Sequence, residues 1–163
     1  MEHPLELSEE KTEELIELTK EYGSPLYVYE ASKIKKRAEY LKEVYAGISV
    51  KFFFFEFCNR NHRILEFIKD LGIGVTTARA SGVNRSIKLG FKPEQIECSG
   101  FGYSDQEFGF IKEHGVKINL ATMPELKRFV ELFPDTPVGI RLALKEDTPV
   151  SYTHLTLPTR RGG

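Results

Sequence analysis

The chain has 163 residues, room for one domain with a short extra element and not for two full domains. Hydrophobic residues make up 40% and charged ones 29%, which excludes a disordered chain and a membrane-embedded one; the longest apolar run, over 52–55, is far short of the roughly 20 residues a bilayer span needs. Twenty-three basic against 24 acidic residues give a net charge of −1, with no cationic excess for a phosphate backbone, so neither nucleic acid nor membrane is an expected partner.

The opening MEHPLELSEEKTEELIEL is acidic and helical, not a basic-then-apolar leader, which points to a cytoplasmic protein. Ser8 before Glu9 and Glu10 is a helix N-cap with acids in the first turn. Leu15, Ile16, Leu18 and Tyr22 follow at helical spacing, and Gly23 stops the helix. Leu26, Tyr27, Val28 and Tyr29 predict a short strand. Ile34, Ala38, Leu41, Val44 and Tyr45 predict a second helix ended by Gly47.

A regular alternation follows. An apolar strand over 50–57 leads to a helix through Ile64, Leu65, Phe67 and Ile68. A strand over 73–77 leads to a helix through Val83, Ile87 and Leu89, stopped by Gly90. A strand over 96–99 leads to a helix from Ser104 through Phe108 and Ile111 to Gly115. A strand over 116–120 leads to a helix opened by Pro124 and carrying Leu126, Phe129, Val130 and Leu132. A last strand is expected over 138–142. Units this short need parallel pairing with right-handed crossovers, and strands this apolar should be covered on both faces.

A doubly wound sheet and a (β/α)8 barrel both fit. The uniform period of about 22 residues, and the lack of a glycine-rich loop after the first strand, favour the barrel. The fold class is therefore α/β, a partial barrel with about five of eight strands and an N-terminal helical and strand extension. The expected divisions are an extension at 1–47, the barrel portion at 48–149 and a tail at 150–163. That tail, VSYTHLTLPT followed by RRGG, looks like a translated sequencing-library adapter, so no function is read into His154 or the terminal arginines.

Several strings then resemble a known family. Tyr22-Gly-Ser-Pro-Leu-Tyr-Val-Tyr29, Phe91-Lys-Pro-Glu-Gln-Ile96, Ser99-Gly100 before Ser104-Asp105, His114-Gly-Val-Lys-Ile-Asn119 and Val138-Gly-Ile-Arg141 are similar to the diaminopimelate decarboxylases. These belong to the fold-type III pyridoxal-phosphate decarboxylases, together with ornithine and arginine decarboxylases. The likeness covers roughly residues 20–145, the first half of that family's barrel. It implies a carbon–carbon lyase of lysine biosynthesis with pyridoxal 5'-phosphate as cofactor, a small amino-acid substrate and a homodimer at full length. The scissile bond is then held perpendicular to the cofactor ring, which takes up the electrons as carbon dioxide leaves.

The resemblance also exposes departures. The family's first barrel strand ends in an aromatic-Ala-hydrophobic-Lys-Ala/Cys-Asn motif whose lysine forms the Schiff base. Here the stretch is Phe54-Phe55-Glu56-Phe57-Cys58-Asn59, with Phe57 at the lysine position and no intact catalytic residue. A phenyl ring offers no amine. Lys51 shares the side-chain parity of Phe57, but six residues at about 3.3 Å each place it roughly 20 Å away. Thr76 stands where the family has an acid, and Arg79 and Gly82 replace its Ser and Glu. Arg141 is retained. The cofactor neighbours implied are thus Phe57, Thr76 and Arg141, with no metal site.

Two readings of Phe57 stay open, a real substitution in a non-catalytic relative acting by protein binding and an error in the sequence. An alanine-racemase-like or cofactor-carrier protein is a further alternative that fits the Tyr-Gly-Ser-Pro-Leu-Tyr string poorly. The phenylalanine run at 52–55 reads as barrel core, His62 and His114 as solvated residues, and Cys58 as packing rather than nucleophile. The basic run Lys33, Lys35, Lys36 and Arg37 reads as a solvated helix face.

Overall fold

The structure is a computed structural model that describes residues 7–142, in two units divided between Val50 and Lys51. The segments 143–149 and 150–163, including the expected adapter-like tail, lie outside the described residues. In the first unit, helix α1 spans Glu9–Tyr22 and helix α2 spans Ala31–Val44. Ser8 caps α1, its hydroxyl accepting from the Lys11 N–H at 3.2 Å. Lys11 also pairs with Glu14 at 2.7 Å and Glu30 at 3.6 Å, tying the start of α1 to the cap of α2. The strand expected over 26–29 does not form. Strand-prone residues need a neighbouring edge, and Tyr27 stands 86% exposed instead.

The second unit is the repeated strand–helix pattern. Its elements are β1 (Phe53–Phe55), α3 (His62–Asp70), β2 (Gly74–Thr77), α4 (Ala80–Lys88), β3 (Ile96–Gly100), α5 (Asp105–Glu113), β4 (Lys117–Leu120), α6 (Met123–Leu132) and β5 (Gly139–Ile140), with a 3-10 turn at Pro93–Gln95. The strands form one all-parallel sheet in the order β1-β2-β3-β4-β5. Consecutive strands joined by helices and paired in sequence order are the arrangement of a (β/α)8 barrel, here five strands of it; a doubly wound sheet would reverse its order partway.

Local chemistry sets the ends of the elements. Ser104 and Glu107 form a reciprocal capping box at the start of α5. Asn61 caps α3 and Thr122 caps α6, where Pro124 sits in the first turn without losing a hydrogen bond. Gly115, at φ +65°, turns the chain out of α5 in the left-handed region. The first strand is much shorter than the expected 50–57. Its ladder runs from Gly74 N–H to the Phe52 carbonyl and ends where Glu56 N–H meets the Thr76 carbonyl; there Cys58 N–H turns back onto the Phe55 carbonyl.

The sheet has two unlike faces. Val75, Ile96, Cys98, Ile118 and Leu120 are fully buried against Leu65, Val83, Phe108, Ile111 and Phe129 of the helices. Burying each large apolar side chain there contributes roughly 1.5–3 kcal/mol. Tyr103, Phe108, Phe129 and Phe133 continue this layer as a chain of rings 5.3–5.4 Å apart. The register puts Phe53, Phe55, Thr76, Glu97, Ser99, Lys117 and Asn119 on the opposite face. That face is half-buried or exposed, contrary to the expectation of strands covered on both sides. Its polar residues explain the difference: Lys117 and Glu97 pair at 3.1 Å with the lysine largely solvated. Gly74 and Gly139 leave room for Phe53 and Asn119, whose side chains occupy the space a Cβ would need.

Candidate site at the strand ends

In a parallel barrel the loops after the strands gather at one end, so a site is sought at the carboxyl ends of β1 to β5. Position 57 lies two residues past β1, in a turn pinned by Cys58 N–H to the Phe55 carbonyl at 3.0 Å and Asn59 N–H to the Glu56 carbonyl at 3.1 Å. Phe57 is 61% exposed. Its ring stacks on Phe55, centroids 5.6 Å apart, and the Arg60 guanidinium stands 4.5 Å from its centroid. Phe55 in turn pairs in register with Thr76, which is half-buried on β2. Phe57 is thereby linked to Thr76 through Phe55, on which its ring stacks and which is the register partner of Thr76. Arg141 follows β5 directly, exposed, with its N–H on the Leu120 carbonyl at 2.7 Å. It stands across the sheet from Phe57, since β1 and β5 occupy opposite edges.

Lysines on this face stand at the other end of the strands. Lys117 is the first residue of β4, and Lys51 precedes β1; both line a cavity of about 420 Å³ with Phe53, Glu94 and Glu97. Among the described residues of this unit, no lysine is placed on the sheet face at the carboxyl rim. The same residues contain no group of three His, Cys, Asp or Glu able to hold a metal.

Sequence reasoning missed a buried polar cluster directly behind Phe57. Glu56 is only 3% exposed. Its Oε1 accepts from the Thr77 hydroxyl at 2.7 Å, and its Oε2 from Arg85 Nη1 at 2.7 Å. Gly82 makes the room, because a Cβ there would fall 2.4 Å from Glu56 Oε1. The available signal was a lone acid inside a run of phenylalanines, on the strand parity that faces the helices.

A second missed feature braces the loop after β3. The Gly102 carbonyl accepts from Arg79 Nη1 at 2.7 Å, while its N–H donates to Glu125, which is itself held by the Thr122 hydroxyl at 2.6 Å. Arg79, from the loop after β2, and Glu125, in the first turn of α6, therefore grip the two peptide groups that flank the Gly102 Cα. The remaining candidates have structural roles. Burial pushes the Cys98 thiol up to about 11, so it stays protonated beside the Tyr103 hydroxyl at 3.4 Å. Burial likewise holds the Tyr103 phenol well above its usual range. His114 differs from the solvated residue expected: it is half-buried at the end of α5, with Nδ1 2.8 Å from the Phe110 carbonyl and its ring against Phe110. The Phe110 carbonyl also accepts the His114 backbone N–H at 3.2 Å, so the backbone and the imidazole of one residue share it at the helix end.

Residues 31–155 match the family described as pyridoxal-dependent decarboxylase, pyridoxal binding domain. The chain is 28% identical over 141 residues to a diaminopimelate decarboxylase of Methanothermobacter thermautotrophicus, covering 85% of this chain and 32% of the relative. It is 30% identical over 129 residues to that of Helicobacter pylori, covering 79% of this chain and 31% of the relative. Among solved structures, the Helicobacter pylori diaminopimelate decarboxylase complexed with L-lysine superposes with a TM-score of 0.66 at 27% identity, covering 72% of this chain and 30% of that one. The lysine/ornithine decarboxylase of Vibrio vulnificus complexed with putrescine shares the fold, with a TM-score of 0.75 at 14% identity over 96% of this chain and 44% of that one. The chain spans about a third of the length of the curated relatives it matches. On the family match and the superposition of the fold, the chain belongs to the pyridoxal-dependent decarboxylases.

Proposed function

We propose that this chain is the N-terminal barrel portion of a diaminopimelate-decarboxylase-like protein that has lost its point of covalent cofactor attachment and, as written, does not decarboxylate. The observation that carries the reading is Phe57, an exposed ring at the rim position where the family resemblance puts the lysine. Near the strand ends this face offers Phe57, Thr76, Ser99, Asn119 and Arg141: an aromatic ring, two hydroxyls, an amide and a guanidinium. That set lacks a primary amine and does not fit covalent attachment of the pyridoxal group. Thr76 and Arg141 keep the roles of cofactor neighbours, Thr76 as a neutral hydrogen-bonding group and Arg141 as a fixed cation. A small amino acid is the substrate of the parent enzyme, and at full length the protein is a cytoplasmic homodimer.

The second reading is a non-catalytic homologue that works by protein binding. It is favoured by the exposure of Phe57, Phe101 and Met123, each more than 60% exposed at the ends of β1, β3 and β4. An independent read of codon 57 tests the premise the two readings share: phenylalanine keeps both, and lysine restores the enzyme and overturns both. The direct test adds pyridoxal phosphate to the chain, reduces with borohydride and maps the modified residues by mass spectrometry. The expected result is no modification beyond that of solvent-exposed lysines, and a new adduct at position 57 in Phe57→Lys. Reproducible release of carbon dioxide from diaminopimelate by the unaltered chain would overturn the proposal.

A further inference from the structure

Glu56 is held at every polar group the backbone and side chain present. Its N–H is on the Thr76 carbonyl at 3.0 Å, its carbonyl accepts from Asn59 N–H at 3.1 Å, and its two carboxylate oxygens take Thr77 and Arg85. The side chain reaches between β2 and the first turn of α4, on the face opposite the rim. Arg85 is 28% exposed, so the carboxylate is compensated by a guanidinium that itself keeps contact with water. The fit is reciprocal: the space beside the carboxylate exists only because residue 82 has no side chain.

A buried carboxylate is costly unless it is paired and hydrogen-bonded, and here two other segments of chain, β2 and α4, supply what it needs. Its immediate neighbour in sequence is the rim residue. Residues 56 and 57 are the two central residues of the turn closed by Cys58 N–H on the Phe55 carbonyl, so a carboxylate fastened at 56 constrains the short piece of backbone that carries the side chain of 57.

We propose that Glu56 is a positioning residue of the rim, whose carboxylate fastens the β1–α3 turn to β2 and α4 and thereby fixes the direction of the side chain at position 57. The proposal rests on the reading of position 57 as the former attachment point, and goes beyond it by assigning what holds that point in place. It also gives Gly82 a function, since any side chain there displaces the carboxylate.

The test is backbone amide exchange of the chain and of its Glu56→Leu and Thr77→Val variants, read at Cys58 and Asn59 and, as a reference, at Ile118 and Leu120 of β4. Both variants should speed exchange at 58 and 59 by at least about tenfold with the β4 amides unchanged, because only the local opening is made easier. Thr77→Val, which removes a single hydroxyl, keeps the test alive if Glu56→Leu does not fold. Unchanged rates at 58 and 59, or an equal acceleration at 118 and 120, would refute the positioning role. A second measurement compares the borohydride-fixed pyridoxal adduct at position 57 in Phe57→Lys with and without Thr77→Val. A loss of about fivefold or more in the double variant supports the role, being a shift of order 1 kcal/mol in the orientation of the amine; equal yields refute it. If Phe57→Lys alone forms no adduct, the attachment-point reading fails, and the exchange rates still decide the role of Glu56.

Discussion

The same substitution, glycine to alanine in a helix, should have opposite signs at two positions of this protein. Alanine is favoured over glycine in a helix interior by about 1 kcal/mol. At Gly109, in the middle of α5, nothing lies within 4 Å of an added Cβ, so Gly109→Ala should stabilise by about 0.5–1 kcal/mol. At Gly82 the Cβ would fall 1.7 Å from the Thr77 hydroxyl oxygen and 2.4 Å from Glu56 Oε1, both buried. Reaching ordinary contact means moving that hydroxyl by more than an ångström, which breaks its 2.7 Å hydrogen bond to the carboxylate. Hydrogen bonds to charged groups are worth about 1.5–3 kcal/mol, and forced overpacking costs about 1–3 kcal/mol. After the gain in helix propensity, Gly82→Ala should lose about 2–4 kcal/mol. Urea denaturation of the two variants beside the parent chain measures both, with the slope confirming that the same surface is exposed. A Gly82→Ala midpoint at or above that of the parent, with Gly109→Ala behaving as expected, would show that the Glu56 cluster is loosely held.

Two further outcomes follow from single groups. Burial pushes the folded Cys98 thiol up to about 11, above its ordinary value near 9.0, so its contribution to stability is complete below about pH 9 and is lost as pH rises toward 11. Denaturation midpoints across that range should fall, and Cys98→Ala should flatten part of the slope, Tyr103 accounting for some of the remainder; at pH near 8 a thiol reagent should label exposed Cys58 and leave Cys98 untouched until unfolding. Ser104→Ala removes the acceptor for the Glu107 N–H and opens the capping box, which should cost about 1 kcal/mol in the same urea experiment without a change of slope.

The period of the pattern was legible because each unit repeats the same two periodicities. Ile96, Cys98 and Gly100 alternate inward on β3, and Phe108 and Ile111 recur at helical spacing on α5. Ser104 and Gly115 bracket that helix as their chemistry dictates. Strand length was not legible. Hydrophobicity marks residues that could pair, whereas pairing stops where the partner turns away, so the apolar stretch over 50–57 yields only Phe53–Phe55. The same limit hid the polar inner face. Thr76, Glu97, Ser99 and Asn119 sit singly among apolar neighbours, and only the register collects them into one surface.

At the rim the sequence showed the missing amine but not the arrangement that surrounds it. A lysine at position 57 would stand beside Arg60 and a strand away from position 76, and an acid at 76 would offset that cation. The chain carries Phe57 with Thr76, so both charges are absent together and neither is left unpaired in a half-buried site, where an isolated charge is most costly. Behind them Glu56, Thr77, Gly82 and Arg85, drawn from three separate elements, fit one another to hydrogen-bond distance. That mutual fit couples the turn after β1 to β2 and α4, so a change at any one of Glu56, Thr77, Gly82 and Arg85 should be felt at the other three.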